Sequence, residues 1–525
     1  MAVLKDWLGK VAYTVLAGSD EAAVDEVVYD SRKAAPGTVF VCITGTKSDS
    51  HAFIKDAVKA GCRTFVVEKN LEDLSLPETM PGDGLNLIHV KNSRSALAYL
   101  SAARFGNPAK DMIMIGITGT KGKTTTSYMI AEILKHCGKK IGVIGTNGCE
   151  IAGVHSLTRN TTPESYELHA HFAEMKQAGC THVVMECSSQ GFKLHRTDGI
   201  LFDYGLFLNL SPDHIGPLEH ADFAEYLSCK AKLLTQSRIG VVNADDPHLA
   251  EILASARRYR MPDCPFVSAD GIPADDPLTE ILTYGLSEQA DYRAQDLHYV
   301  AGADFVGVTF CVSGRYSDEG RLPVPGAFNV LNALAAIVVC TNLQLPRETI
   351  NEALSMIHVD GRMETVYRHE NFQVIVDYAH NEVSMESLLK SLRKYKPGRL
   401  VVVFGCGGNR SRERRSGMGS VAAKAADFSI FTADNSRYEK TEDIIHEIEQ
   451  AYFAAGGKKE ACIAIPDRRE AIRYALSHAQ KNDLIAVIGK GHEDYQEING
   501  VRTHFLDREV ILEEAKKLFP ETETA

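Results

Sequence analysis

Residues 116–126 read Gly-Ile-Thr-Gly-Thr-Lys-Gly-Lys-Thr-Thr-Thr, directly after the apolar run Met112–Ile115 and before a helical stretch. Glycines 119 and 122 let the backbone curl so that several N–H groups face one anion, and a helix opening near Thr124 adds its positive end. Lys123 can reach the β- and γ-phosphates of a nucleotide, and the Thr124 hydroxyl is placed for Mg²⁺. Gly119, Thr120, Lys121, Gly122, Lys123, Thr124 and Thr125 are therefore expected to bind ATP. The spacing G-x-x-x-x-G-K-[ST] is not met, because Ile117 stands where the first glycine belongs. No N-K-x-D segment is present to read guanine, which favours ATP over GTP.

Two further groups belong with this loop. Glu186 ends the strand-like run THVVME, and His214 follows YGLFLNL. With Thr124 they offer an oxygen-rich ligand set with one imidazole, suited to Mg²⁺. An isolated carboxylate at Glu186 would otherwise be a surface group.

Such chemistry needs a rigid frame, and the chain supplies one in its pattern. Short apolar runs alternate with helical stretches almost throughout, the signature of an α/β fold built on mostly parallel sheets. Residues 1–109 form a small α/β unit (VFVCI, TFVVE, NLIHV), and FGNPAKDM reads as a linker. Residues 110–358 hold the phosphate loop, then strand–helix alternation, then a β-rich stretch at 270–325. Residues 359–525 alternate again, in a Rossmann-like manner. Polar clusters follow their apolar strands: DYAHNE, GCGGNRSRERR, TADNSRYE and GKGHEDYQ. Ligands of parallel sheets gather at such strand ends. The tail PETETA is expected to be frayed.

At roughly 150 residues per domain, a chain of 525 residues implies about three or four domains. A net charge of −12 argues against nucleic acid or an anionic membrane as partner. The twelve cysteines lie mostly within apolar runs and lack paired spacing, as expected of buried thiols in a reducing cytoplasm. The N-terminus has no secretory pattern, and no apolar run is long enough to span a membrane.

The motifs together resemble the Mur ligases, of the MurE or UDP-N-acetylmuramoyl-tripeptide synthetase type. GTKGKTT is the form the phosphate loop takes in Mur ligases and folylpolyglutamate synthases. YDSR (29–32), NTTPES (160–165), MECSS (185–189), NLSPDH (209–214), YLSCKAKLL (226–234), FNVLNALAA (328–336), DGRME (360–364), DYAHN (377–381), GCGGNR (405–410), DNSR (434–437) and GKGHEDYQ (489–496) follow in order. The resemblance implies three domains: 1–109 for the UDP-sugar, a central P-loop ATPase domain at 110–358, and a C-terminal amino-acid domain at 359–525. It implies a cytoplasmic monomer acting on small molecules in peptidoglycan synthesis, with ATP and Mg²⁺.

The resemblance also implies roles. Lys123, Lys230, His214 and Glu186 are the catalytic set. Lys230 matches the family lysine carbamylated to N6-carboxylysine, an anion able to bridge Mg²⁺ alongside Thr124, Glu186 and His214; Lys232 is the competing position. Ser31, Thr161, Thr162, Ser188 and Arg196 match residues holding the UDP-muramoyl dipeptide. Asn332, Arg362, Asp377 and His380 lie beside the nucleotide. Arg410, Asp434, Asn435, Ser436, Arg437, Gly489 and Glu493 form the pocket of the incoming amino acid. There a guanidinium can pair with the distal carboxylate of diaminopimelate and repel the ammonium of lysine. The chain departs from the family at Gln190, Leu194, Glu382 and Ser436, where His, Gln, Pro and Pro are usual. These leave two alternatives: the same reaction with lysine or another amino acid, or an ATP-binding regulatory protein without catalysis.

Overall fold

The computed structural model describes residues 2–45, 48–76, 84–216, 219–259, 280–301 and 305–520. The last five residues of the PETETA tail lie outside them. Packing gathers the chain into two compact units, residues 1–293 with 334–350 and residues 294–333 with 351–525.

Among the described residues the first unit contains two large sheets and a short two-stranded one, Ala2–Val3 with Ala23–Val24. One has five strands in the order Tyr13–Ala17, Asn86–Val90, Thr64–Val67, Thr38–Val41, Glu26–Val28, parallel except for the first. Helix Ser93–Arg104 is started by Asn92, whose side chain accepts from the Ser95 amide, and packs Ala96, Leu97 and Leu100 into this sheet's core. The unit's other large sheet is centred on parallel strands Ile141–Gly145, His182–Glu186, Ile113–Thr118, Phe202–Phe207, Ser237–Asn243 and Glu280–Gly285, in that order. Strands Ile141–Gly145 and His182–Glu186 are buried at every residue, which is why they read as continuous apolar runs. Tyr29 donates to Glu167 at 2.6 Å and Ser95 to Asp198 at 2.8 Å, so the two large sheets are tied together within the unit.

The second unit is built on a six-stranded sheet ordered Glu364–Arg368, Phe372–Asp377, Asp483–Ile488, Leu400–Phe404, Phe428–Phe431, Cys462–Ala464. Only the first strand is antiparallel. Helices Glu382–Arg393, Glu413–Ala425, Thr441–Ala454, Arg468–Ser477 and Asp507–Leu518 accompany the strands. A hairpin, Tyr495–Ile498 with Val501–His504, follows the last parallel strand. Most of the β-rich stretch is here too, as the antiparallel pair Val306–Gly314 and Asp318–Leu322.

Every described cysteine is a free thiol, most of them buried. No helix among the described residues is long and apolar enough to cross a membrane.

Candidate functional site

In the first unit the register sets the site. Glu186 pairs with Ile117 and Phe207 with Thr118, so three parallel strands end side by side at the phosphate loop. Gly122 sits at φ 86°, a left-handed conformation that glycine adopts without a Cβ clash, and ends the loop as the cap of helix Lys123–His136. Gly119 lets the loop pass Leu208, whose Cβ a methyl at Gly119 would approach to 3.0 Å. The first amides of a helix lack intrahelical carbonyls, and here the ladder begins with the Thr126 amide on the Gly122 carbonyl at 2.9 Å. That arrangement is what an anion needs.

The loop is pinned from beside. Asn209 accepts from the Lys121 amide at 2.9 Å and donates to the Lys121 carbonyl at 3.0 Å. Thr120 accepts from the Ser211 amide at 3.0 Å, and its hydroxyl lies 3.1 Å from that of Tyr226. Lys123 folds over the loop, donating to the carbonyls of Gly119 at 2.9 Å and Thr120 at 3.3 Å. Thr124 and Thr125 are buried in the first helical turn.

Lys230 lies on helix Phe223–Thr235 and is 2% exposed. Its amine donates to the Gly119 carbonyl at 2.8 Å and sits 4.8 Å above the Tyr226 ring. Burial first, and the Lys123 charge second, hold its proton affinity well below that of a free lysine. Lys232 points elsewhere, donating to the Phe192 carbonyl.

Glu186 is buried and accepts from both the amide and the hydroxyl of Thr146, each at 3.1 Å. His214 is exposed, at φ 54°, with Nδ1 2.8 Å from Glu219. A proton on Nδ1 would leave Nε2 as the nitrogen for a metal.

The residues matched to the UDP-muramoyl dipeptide fall partly together. Thr162 donates to the Glu186 carbonyl at 3.0 Å and accepts from the Ser188 amide at 2.9 Å, while the Thr161 hydroxyl is 3.1 Å from that of Thr146. Ser188 caps the turn Ser189–Lys193 through the Gly191 amide. Ser31 stands in the other sheet's part of the unit, opening a short turn capped by Asp30. Arg196 carries its guanidinium on Glu164 (2.9 Å) and the Thr162 carbonyl (2.9 Å). Glu164, which also pairs with Arg94, is a partner that sequence reasoning missed; only its place in NTTPES before a helix hinted at it. Gln190 keeps its Nε2 buried without a hydrogen-bond partner.

In the second unit Asp377 is half-buried and accepts from the amides of Met363 and Ala379, both at 2.8 Å; desolvation raises its carboxyl above the usual range. Arg362 stacks 4.7 Å over Tyr378, whose carbonyl lies 2.8 Å from His380 Nδ1. Asn332 donates to Asn329 at 3.0 Å. Glu382 occupies the first position of helix Glu382–Arg393, where an acidic side chain suits the helix dipole as proline suits the geometry.

The pocket residues of this unit do converge. Asn435 donates to Glu493 at 2.7 Å and accepts from the Glu497 amide at 2.9 Å. Gly489 sits at φ 111°, a conformation that favours glycine, and a Cβ there would lie 2.7 Å from the Asp434 carboxylate. Arg437 donates to the Gly408 carbonyl at 2.7 Å, and both it and Arg410 border Gly407. Ser436 is buried, its hydroxyl 2.6 Å from that of Thr441. Burial, reinforced by Asp434, raises the Glu493 carboxyl. Lys490 is buried beside it, 3.6 Å from Glu493. Carboxylates and guanidinium groups thus share one rim, able to hold a zwitterion with a further charge.

Comparisons with known proteins show the family of the chain. Residues 117–266 match the Mur ligase middle domain and residues 361–491 the Mur ligase glutamate ligase domain. A UDP-N-acetylmuramoyl-L-alanyl-D-glutamate–2,6-diaminopimelate ligase of Clostridium perfringens is 35% identical over 97% of this chain and 98% of its own. One from Caldanaerobacter subterraneus subsp. tengcongensis is 37% identical over 94% and 95%. A solved structure of a ligase of that name superposes with a TM-score of 0.71 at 29% identity, covering 98% of this chain and 99% of that one.

Proposed function

The chain belongs to the Mur ligase family, and we propose that it is an ATP-dependent amide ligase joining meso-diaminopimelate to UDP-N-acetylmuramoyl-L-alanyl-D-glutamate for peptidoglycan synthesis. Residues 1–109, 110–358 and 359–525 would serve the UDP-sugar, ATP and the amino acid in turn. Free, mostly buried thiols support a cytoplasmic setting.

A carboxylate does not react with an amine at neutral pH, because oxide is not expelled. Transfer of the γ-phosphoryl group to the carboxylate gives an acyl phosphate and ADP. The amine then attacks the acyl carbon, phosphate leaves, and a proton is released. The task is to hold several anions in line. The phosphate-loop amides and Lys123 take the nucleotide's charge. Thr124, Glu186, His214 and a carbamylated Lys230 would hold Mg²⁺, which supplies further neutralisation of the phosphates. The buried Glu186 carboxylate, whose donor among the described residues is Thr146, and the low proton affinity of Lys230 both fit that set. Thr161, Thr162, Ser188 and Ser31 are polar contacts for the nucleotide-sugar, with Arg196 supporting their loop through Glu164.

The observation that carries the reading is the charge pattern around Asn435. Asp434 and Glu493 suit an ammonium, and Arg437 with Arg410 suits a distal carboxylate. The test is an amino-acid panel with the UDP-muramoyl dipeptide, ATP and Mg²⁺, read as phosphate release. Turnover with meso-diaminopimelate well above lysine is expected. Preference for lysine overturns the substrate assignment, and ATP turnover without either substrate overturns the ligase.

A further inference from the structure

The loops that carry Arg410 and Arg437 are held in a costly conformation. Asn409 sits at φ 54° and Arg437 at φ 52°, both left-handed, and neither is glycine. Such residues persist only where the surroundings hold them. Three bonds stitch the loops to each other: Gly408 amide to Asn435 carbonyl at 2.9 Å, Arg437 guanidinium to Gly408 carbonyl at 2.7 Å, and Tyr438 amide to Asn409 side chain at 3.3 Å. A fourth ties them to the scaffold. The Asn409 amide donates to Glu439, and both Glu439 oxygens accept from Arg415 Nη2, at 2.9 and 2.8 Å. Arg415 is a post: its side chain is 2% exposed on helix Glu413–Ala425, and it also donates to Glu447 of the following helix at 3.0 Å. Burial of the guanidinium with two carboxylates leaves it one geometry.

Resting on the reading of this rim as the amino-acid pocket, we propose that Arg415 and Glu439 are positioning residues for amino-acid selection, clamping the Arg410 loop to the Arg437 loop. Neither touches the substrate. They set where the two selecting guanidinium groups point, and a displacement of about 1 Å there is enough to cost up to ~10²-fold.

The experiment compares wild type, Glu439→Gln and Arg415→Lys. Glutamine keeps an acceptor for the Asn409 amide but drops the charge; lysine keeps the charge but loses the fork. Should Glu439→Gln fail to fold, Glu439→Asp replaces it. Read-outs are the melting temperature, the KM of each of three substrates, and the ratio of kcat/KM for the amino acid wild type prefers over the next best. The clamp requires folded variants whose KM for that amino acid rises roughly tenfold or more and whose ratio falls, with KM for ATP and the UDP-dipeptide within about twofold. An unchanged amino-acid KM overturns it. So does an equal loss for all three substrates, which marks a merely structural pair. If wild type prefers something other than diaminopimelate, the functional assignment falls, and the clamp is judged on the preferred amino acid.

Discussion

Lys123 and Lys230, more than a hundred residues apart, donate to the same oxygen, the carbonyl of Gly119, at 2.9 and 2.8 Å. Two ammonium groups on one carbonyl repel each other, and burial of Lys230 sharpens the conflict. Burial first, and the Lys123 charge second, push the Lys230 ammonium toward release of its proton. A neutral amine is the form that can add to carbon dioxide, so this surrounding favours the form of lysine that the proposed carbamate requires.

Lys123→Ala removes the cation at the loop. Phosphate release should fall at least ~10³-fold, the scale for a positioned cation in phosphoryl transfer, while circular dichroism shows a folded chain. Near-normal turnover would remove the phosphate-loop assignment.

Lys230 gives a prediction with two signs. Its lowered proton affinity means the unfolded chain binds the proton that the fold rejects, so neutral pH carries a penalty that rising pH removes. Lys230→Met should be inactive, yet melt at least as high as wild type at pH 7 without Mg²⁺ and nucleotide. The difference should narrow as pH approaches the ordinary lysine range. Lys230→Ala should regain some activity with short carboxylic acids, which place an anion where the carbamate would stand. Normal turnover of either variant refutes the role.

The loop and the parallel frame were legible because glycines 119 and 122 and the strands around them are local signals. The roles of Lys230 and Arg196 were less so. A lysine on an amphipathic helix normally reaches water, and nothing nearby in sequence announces that Lys230 turns inward to Gly119. Arg196 reads as a cation for an anionic substrate, but Glu164, thirty-two residues earlier, accepts its guanidinium. Pairings at such separation depend on how helices and strands pack. The DNSR motif was readable, whereas the support of its loop by Glu439, Arg415 and the hairpin at 495–504 was not.

His358 offers a pH test away from the chemistry. Ion pairing with Asp360 (3.0 Å) and Glu364 (3.2 Å) raises its pKa to about 9, above the ordinary 6.5. Stability from the charged ring is therefore fully present below the unfolded value and lost as pH rises through about 9. Arg508 lies against the same carboxylates, so a cation already sits among these groups. His358→Gln should lower the melting temperature at pH 6 and leave it unchanged at high pH. The ring is 47% exposed, so the effect is screened to about 1 kcal/mol or less and should shrink with salt. Equal destabilisation at both pH values would show that packing, not charge, holds the ring.

Arg437 is the proposed selector of the incoming amino acid. Its backbone is fixed by the hairpin, the amide donating to Glu497 at 2.9 Å, and its guanidinium is aimed by the Gly408 carbonyl at 2.7 Å. With diaminopimelate bound, truncation to alanine removes a charge-assisted pair and strands the distal carboxylate, costing roughly 2–5 kcal/mol. That is a factor of about 30 to several thousand in kcat/KM. Lysine has no such carboxylate, so its turnover should hold or rise once the repelling guanidinium is gone. The measurement is the ratio of kcat/KM for diaminopimelate over lysine in wild type and in Arg437→Ala: large in the first, collapsed in the second. Equal losses for both substrates would mean that Arg437 shapes the loop without selecting. Attention would then pass to Ser436, whose bond to Thr441 sets the same turn in place of the family's proline.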